Sequence, residues 1–566
     1  MTSDDKTVYG LGMAKSMHTI CLIDAPPQLV DAFRMTGSTI LTLAASPLPF
    51  FDLPKALEEH DCTPDLVLQV ERLGVRSLLT GLDAVDCPLL FWCIDPHLNG
   101  HWHDSYARLF DLVCSTQKAW IPKIAGRGAR DVRWLPWFGQ EQEWMPWEER
   151  EHGLTFVGRI TDQRPARKWM VEFLQERAAA FNPAIRDAVP FPKMMELYRN
   201  SRIIPNESIF GEVNFRLFEG ASCGCMVLGQ TIGSEQEELF EPGREMDTYS
   251  HIAELGEKLA LYLSNDRLTR TMAKAAHARV RAEHLPEHRM QRIVDYAKNA
   301  NRNRATGGEA AKWTALSVCS LWEAGQFASS VKEVLDLLDG VEKDGEVAAA
   351  TLRVQAMAEM HPLLKTNTRA LLAAKQYETV PELNLAASMA ALRVDHFDGA
   401  KAFWYRHLEA SEKRAAPPND RKTLLTLWAT DLQRRGMLVR PGFNFDPARH
   451  LPMTAAECLL AILADEPEDI PTLRMLDTIL QPVMGTEQAR VGFLSILTLH
   501  QRDEWRLALE IALANLRSYR LESGLEELQV AHEIARRQGQ ENAFLRVLKG
   551  RDPSGLLIRK ITQKTS

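Results

Sequence analysis

The chain has 566 residues, a quarter of them charged, with 75 acidic against 67 basic side chains and a formal net charge of −8. That length allows roughly three or four compact units, each large enough to bury its own core, and the acidic balance excludes a binder that depends on nucleic-acid phosphates. The start, MTSDDKTVYG, has no basic segment followed by an apolar one, so no secretory signal is expected, and stretches such as STILTLAASPLPFF are too short and too broken by proline to span a bilayer. Nine scattered cysteines without disulfide-framework spacing fit a reducing, cytoplasmic setting, with Cys223 and Cys225 expected to be small packing residues.

Taken in chain order, HTICLIDAPP, STILTLAAS, PDLVLQV, CPLLFWCID, FDLVCST and DVRWLPWF are each the length of a buried strand, separated by helix-compatible or turn-rich segments. Strand–helix alternation of this kind predicts a parallel sheet covered on both faces, a first Rossmann-like domain over residues 1–145. A second, residues 146–298, starts at the strand LTFVGRI and runs through the helix RKWMVEFLQERAAAF, then MELYRNSRIIPNES, CGCMVLGQ and ELGEKLALYLSN to the helical stretch RLTRTMAKAAHARVRAEH. The polar, glycine-bearing segment 299–311 reads as a linker, so a fragment ending there is expected to fold without the rest. Beyond it, residues 312–566 read as amphipathic helix throughout. GQFASSV, DHFDGAK and DEWRLAL share an aromatic at Phe327, Phe397 and Trp505, at intervals near two and three times the ~34-residue tetratricopeptide period. Such an array suits a protein or peptide partner, and unrelated helical hairpins remain the alternative.

The stretch EVNFRLFEGASCGCMVLGQ joins Glu219 and Arg216 to a run of small residues. A carboxylate for ribose hydroxyls, a cation for phosphate and glycines for close backbone approach are what a nucleotide-sugar pocket needs. After the strand LTFV, the turn GRITDQRPARK supplies Arg159, Arg164, Arg167 and Lys168 where open α/β sheets bind phosphate, with Arg159 and Lys168 the favoured pair and a solvated basic helix face the alternative. For Glu219 the alternative is a carboxylate stabilised at a helix start. In the first domain, DPHLNGHWHD follows the strand LLFWCI. Gly100 and the strand exit argue for a loop rather than a helix presenting metal ligands, so no metal site is expected. Asp95 and His97 at that strand end face the expected interdomain cleft as general base or hydroxyl-holding groups, or else cap the loop.

The blocks FVGR, ELYRNSRIIPNES, NFRLFEGASCGCMVL, ELFEPGREMDTY, AELGEKL and HLPEHRMQRI, from Phe156 to Ile293, resemble the donor domain of GT-B glycosyltransferases, specifically the spore-maturation (CgeB-like) type. The front domain resembles them more loosely through PDLVLQV and LFWCIDPH. The resemblance implies two facing Rossmann-like domains, a nucleotide-diphosphate sugar donor, retention of configuration and no cofactor or required metal. It implies that Glu219 grips the ribose, that Arg216 lies near the diphosphate, that Asn206 ends a strand facing the pocket and that Glu245 sits in a loop approaching the donor. Relatives carry two glutamates separated by seven residues. Here Gly211 holds the earlier position, with Glu212 one place later as the candidate replacement. A hexosyltransferase acting on a protein or surface glycan is the implied function; a non-catalytic scaffold on a degenerate domain pair and a nucleotide-sugar epimerase are the rivals.

Overall fold

The computed structural model describes residues 17–563 apart from 46–48, 73, 75, 127, 130, 163 and 376, so the acidic N-terminal decapeptide lies outside the described residues. Thirteen strands are described: β1 Thr19–Ile23, β2 Thr39–Leu43, β3 Phe50–Asp52, β4 Leu66–Val70, β5 Leu78–Thr80, β6 Leu89–Cys93, β7 Leu112–Ser115, β8 Val132–Trp134, β9 His152–Val157, β10 Pro183–Arg186, β11 Ser201–Asn206, β12 Met226–Gln230 and β13 Asp247–Tyr249. They form a six-stranded sheet of order β2-β1-β4-β6-β7-β8 and a five-stranded sheet of order β10-β9-β11-β12-β13, and every pairing in both is parallel. The apolar runs of the sequence follow from this: β4 and β6 are buried at every position because helices cover both faces of a parallel sheet. A small parallel pair, β3 with β5, was not expected.

Counted within each sheet, the first runs 2-1-3-4-5-6 and the second 2-1-3-4-5, a doubly wound order in which the chain reverses direction beside its first strand. The reversal lies between β1 and β4 in the first sheet and between β9 and β11 in the second. The two carboxyl edges meet across a latched cleft. Gln117, just beyond β7, donates to the carbonyl of Val213 at 3.1 Å and accepts from the Val213 amide at 2.8 Å. Lys118 pairs with Glu238 at 2.6 Å, and Trp137 stacks on Phe215 with ring centroids 4.5 Å apart. The closing helix Pro286–Lys298 returns to the first domain, burying Ile293 and Ala297 against Leu29 and Phe33.

The C-terminal region, from Gly307 to Gln563, is helical, and Phe397 and Trp505 each open a helix whereas Phe327 lies in a connection. The two front domains share cores with the helical region. The segment between Lys298 and Gly307 is pinned to the first domain by Arg304, which pairs with Asp111 at 2.5 Å and donates to the carbonyl of Cys87. Trp313, Leu316 and Val318 then enter the same core as Leu78, Phe91 and Tyr106. At the far end, Trp505, Leu509, Leu513 and Leu516 complete the second domain's core with Leu154, Ile203 and Leu255. The helices between them have cores of their own, one built on Ala386, Phe403, Trp428 and Leu459 and another on Leu473, Leu494 and Ile511. The helical region is a bridge from one Rossmann domain to the other. Among the described residues no helix is long and apolar enough to cross a membrane, and all nine cysteines are free, Cys223 and Cys225 among the buried ones.

Candidate functional site

The loops after β9 and β11 bring the second domain's charged residues to its reversal point. Strand β11 ends at Asn206, and the next residue, Glu207, is 4 % exposed and sits between two guanidinium groups. Arg167, from the helix Pro165–Glu176, pairs with Glu207 Oε1. Arg216, from the first turn of the helix Phe215–Ser222, donates to Glu207 Oε2 and to Asn206 Oδ1, both at 2.9 Å, and to the carbonyl of Val157 at 3.2 Å. Two cations against one carboxylate leave a buried net positive charge where the strand ends and a helix begins.

One turn after Arg216, Glu219 is part-buried, and its carboxylate makes no hydrogen bond among the described residues. Burial raises its pKa to about 7, against the pull of Arg216. This is the carboxylate the sequence singled out, and it is the acid of this group that no protein donor occupies.

Across the cleft, DPHLNGHWHD is not a loop as expected but the start of the helix Pro96–Tyr106, with proline at its first position and Gly100 packed beneath the Trp120 ring where a Cβ would collide. Asp95 precedes that helix. Burial, then the neighbouring Glu71, lifts its carboxyl to about 7, although Arg76 and Arg164 oppose the shift. His97, 3 % exposed, puts Nε2 3.9 Å from Glu212 Oε2 of the other domain, and burial lowers it to about 4, so it is neutral. Burial and then the charge of Glu207 push Glu212 well above the usual carboxyl range, and it accepts from the Ser208 hydroxyl at 3.2 Å. Thus Asp95, His97 and Glu212 are brought together. Glu212 reaches the cleft because Phe210 and Gly211 both take left-handed backbone angles, φ 54° and 77°, turning the loop back on itself.

Other expected residues lie elsewhere. Lys168 is exposed and pairs with Asp162 at 3.1 Å, and the Arg159 side chain is exposed while its carbonyl accepts from Arg167. Of the basic turn it is Arg167 that points inward: positions 167 and 168 are neighbours on a helix, and only one can face the sheet. Glu245 is buried but accepts from the Glu241 amide at 2.9 Å, closing its own turn. Sequence reasoning missed Glu207 and Gln117. Glu207 adjoins Asn206 directly after the apolar run RIIP, and an acid at the end of a buried strand was the available signal. Among the described residues no group of three or more His, Cys, Asp or Glu side chains is arranged to hold a metal ion.

Residues 146–295 match the model of a family described as glycosyl transferase-like. No curated protein matches the chain. Solved structures of similar fold include HepE of Anabaena, crystallised with UDP and glucose (13 % identity over 50 % of this chain and 99 % of that one, TM-score 0.34), and a glycosyltransferase of Rickettsia africae (11 % identity, 50 % and 98 %, TM-score 0.35). Another is sucrose-phosphate synthase of Thermosynechococcus elongatus (13 % identity, 49 % and 98 %, TM-score 0.35). At TM-scores this low the likenesses add nothing to the topology already described. The second α/β domain is thus similar to the glycosyl transferase-like family over residues 146–295, and it faces a first Rossmann-like domain across a cleft.

Proposed function

We propose that this protein transfers a sugar, a hexose by the family resemblance, from a nucleotide diphosphate to an acceptor, with the donor held at the carboxyl edge of the second sheet. One observation carries the proposal: in the domain that matches the glycosyl transferase-like model, Glu219 presents a part-buried carboxylate without a hydrogen-bond partner beside a buried pair of arginines. Its carboxylate accepts from the ribose hydroxyls. The positive charge of Arg167 and Arg216, beyond what Glu207 neutralises, faces the leaving diphosphate, which supports a metal-independent reaction needing no cofactor. Asp95, half-protonated near neutral pH, holds a sugar or acceptor hydroxyl. Retention of configuration, as in the spore-maturation type, is the outcome we assign, because Glu212, whose burial favours its neutral form, and His97, whose burial lowers its basicity, do not make a strong in-line base. The cleft is latched, so binding requires opening and reclosure, which excludes water from the donor.

We assign the acceptor to a protein or surface glycan that approaches beside the helical bridge, in the cytoplasm. A second reading is favoured by one fact: Arg167 and Arg216 are both already paired with Glu207, as they would be in a scaffold with no ligand to bind. A thermal-shift panel of nucleotide diphosphates and nucleotide sugars separates the two. A ligand of the folded state adds about 2.7 kcal/mol at a hundredfold excess over its Kd. A transferase shows shifts selective for one base, and a scaffold shows none.

A further inference from the structure

The helical bridge reaches the interdomain cleft at three points. Met484 and Gly485 lie against the Phe210–Gly211 turn that aims Glu212: a Cβ on Gly211 would stand 3.3 Å from Met484 Sδ, and one on Gly485 would stand 2.8 Å from the Phe210 ring. Gly442 lies on the backbone of Leu98, in the helix that carries His97, so closely that a side chain there would collide, and Phe443 meets the His101 ring edge-on at 5.7 Å. The third contact is polar. Tyr519 follows the helix Trp505–Arg517 with φ 68°, a left-handed angle costly for an aromatic residue, and its hydroxyl lies 2.8 Å from that of Tyr249 at the end of β13. Tyr249 donates to the carbonyl of Asn206 at 3.3 Å, which leaves Tyr519 as the donor in the pair. Both tyrosines are buried, at 1 % and 4 % exposure, so neither hydroxyl has a water substitute.

We propose that Tyr519 is a positioning residue for the donor site, acting through Tyr249 on the Asn206–Glu207 peptide whose side chains orient Arg216. Tyr519 touches no substrate. It fixes the strand end from which the arginine pair is organised, which makes the bridge part of the transferase site rather than an appended module. This inference rests on the donor-site reading above.

The test uses the full chain and four versions of it: wild type, Tyr519→Phe, Tyr249→Phe and the double variant. Binding of UDP and of dTDP is measured by calorimetry, with melting temperature recorded for each protein. A relay predicts that Tyr519→Phe weakens nucleotide binding by roughly three- to tenfold, the worth of one hydrogen bond. It also predicts that the same substitution has no further effect once Tyr249 is phenylalanine, because the two act in series. Unchanged affinity in Tyr519→Phe, whatever its melting temperature, overturns the positioning role and leaves the donor site standing. Additive losses in the double variant overturn it too. If wild type binds neither nucleotide, the donor-site reading falls and this inference falls with it.

Discussion

The two Rossmann-like domains share a strand order, and in each a buried glutamate directly follows the strand beside the chain reversal: Glu71 after β4 and Glu207 after β11. Their surroundings differ. Glu71 accepts from the amides of Ile94 and Asp95, from Asn99 at 2.7 Å and, by distance, pairs with His103 at 3.0 Å. Burial alone would raise Glu71, but His103, Arg76 and the Asp95 amide hold it at about 2. The first edge is therefore saturated by its own protein and has no vacancy for an anion. Glu207 faces two arginines and leaves positive charge over, with the unpartnered Glu219 a turn away. One topology thus gives a glutamate satisfied by its own protein in one domain and, on the proposed reading, a donor-binding edge in the other, and the partners supplied by the next helix decide which.

The most damaging break should be severing the chain after Lys298. The cores of both domains continue into the helical bridge, and the fragment should be insoluble under conditions where the full chain is soluble; a soluble fragment that melts cooperatively would show that the bridge is dispensable. Next is Glu207→Ala, which leaves Arg167 and Arg216 buried and facing each other. It should cost about 3–5 kcal/mol in urea unfolding. Glu71→Ala should destabilise the protein as well but leave nucleotide affinity close to wild type, since its partners lie in the first domain. If Glu71→Ala abolished nucleotide binding and spared stability, the two edges would have been assigned the wrong way round.

Arg216→Ala should lower turnover by roughly a hundredfold or more if its charge meets the leaving diphosphate. A pH series sharpens the assignment of Glu219. With its pKa raised to about 7, the ionised form that accepts ribose hydroxyls is lost as pH falls below neutrality. Affinity for a nucleotide sugar, whose diphosphate does not titrate in this range, should therefore be about tenfold weaker at pH 6 than at pH 8, and Glu219→Gln should flatten the dependence. The stability term has the opposite sign: the folded state holds a proton that the unfolded chain has released above about 4.5, so this group's contribution to stability decreases as pH rises from there toward 7. The smallest effect belongs to Lys168→Ala, which should change stability and affinity by no more than about 0.5 kcal/mol because Lys168 lies on the surface.

Much of this comparison could be read before the structure. The strand runs and the second domain's first strand in LTFVGRI follow from apolar length, which is a local property. What was missed depends on direction or on distance along the chain. Lys168 was favoured over Arg167 because sequence spacing does not say which of two adjacent helical residues faces a sheet. The helix Pro96–Tyr106 was read as a loop because the Trp120 ring that occupies the space beside Gly100 comes twenty residues later. The polar segment after Lys298 looked like a free linker, yet Arg304 finds Asp111 nearly two hundred positions back. The merging of the helical region with both domain cores involves still longer separations, and no local pattern encodes it.

The central claim is that Glu219 holds the donor. Calorimetric titration of a nucleotide sugar at pH 8 into wild type and Glu219→Ala, with melting temperatures measured in parallel, tests it most directly. The account predicts a loss of about 1.5–3 kcal/mol in binding with little change in melting temperature, the value of hydrogen bonds to a charged acceptor. A lower melting temperature with unaltered affinity would contradict it and make Glu219 a structural carboxylate like Glu71.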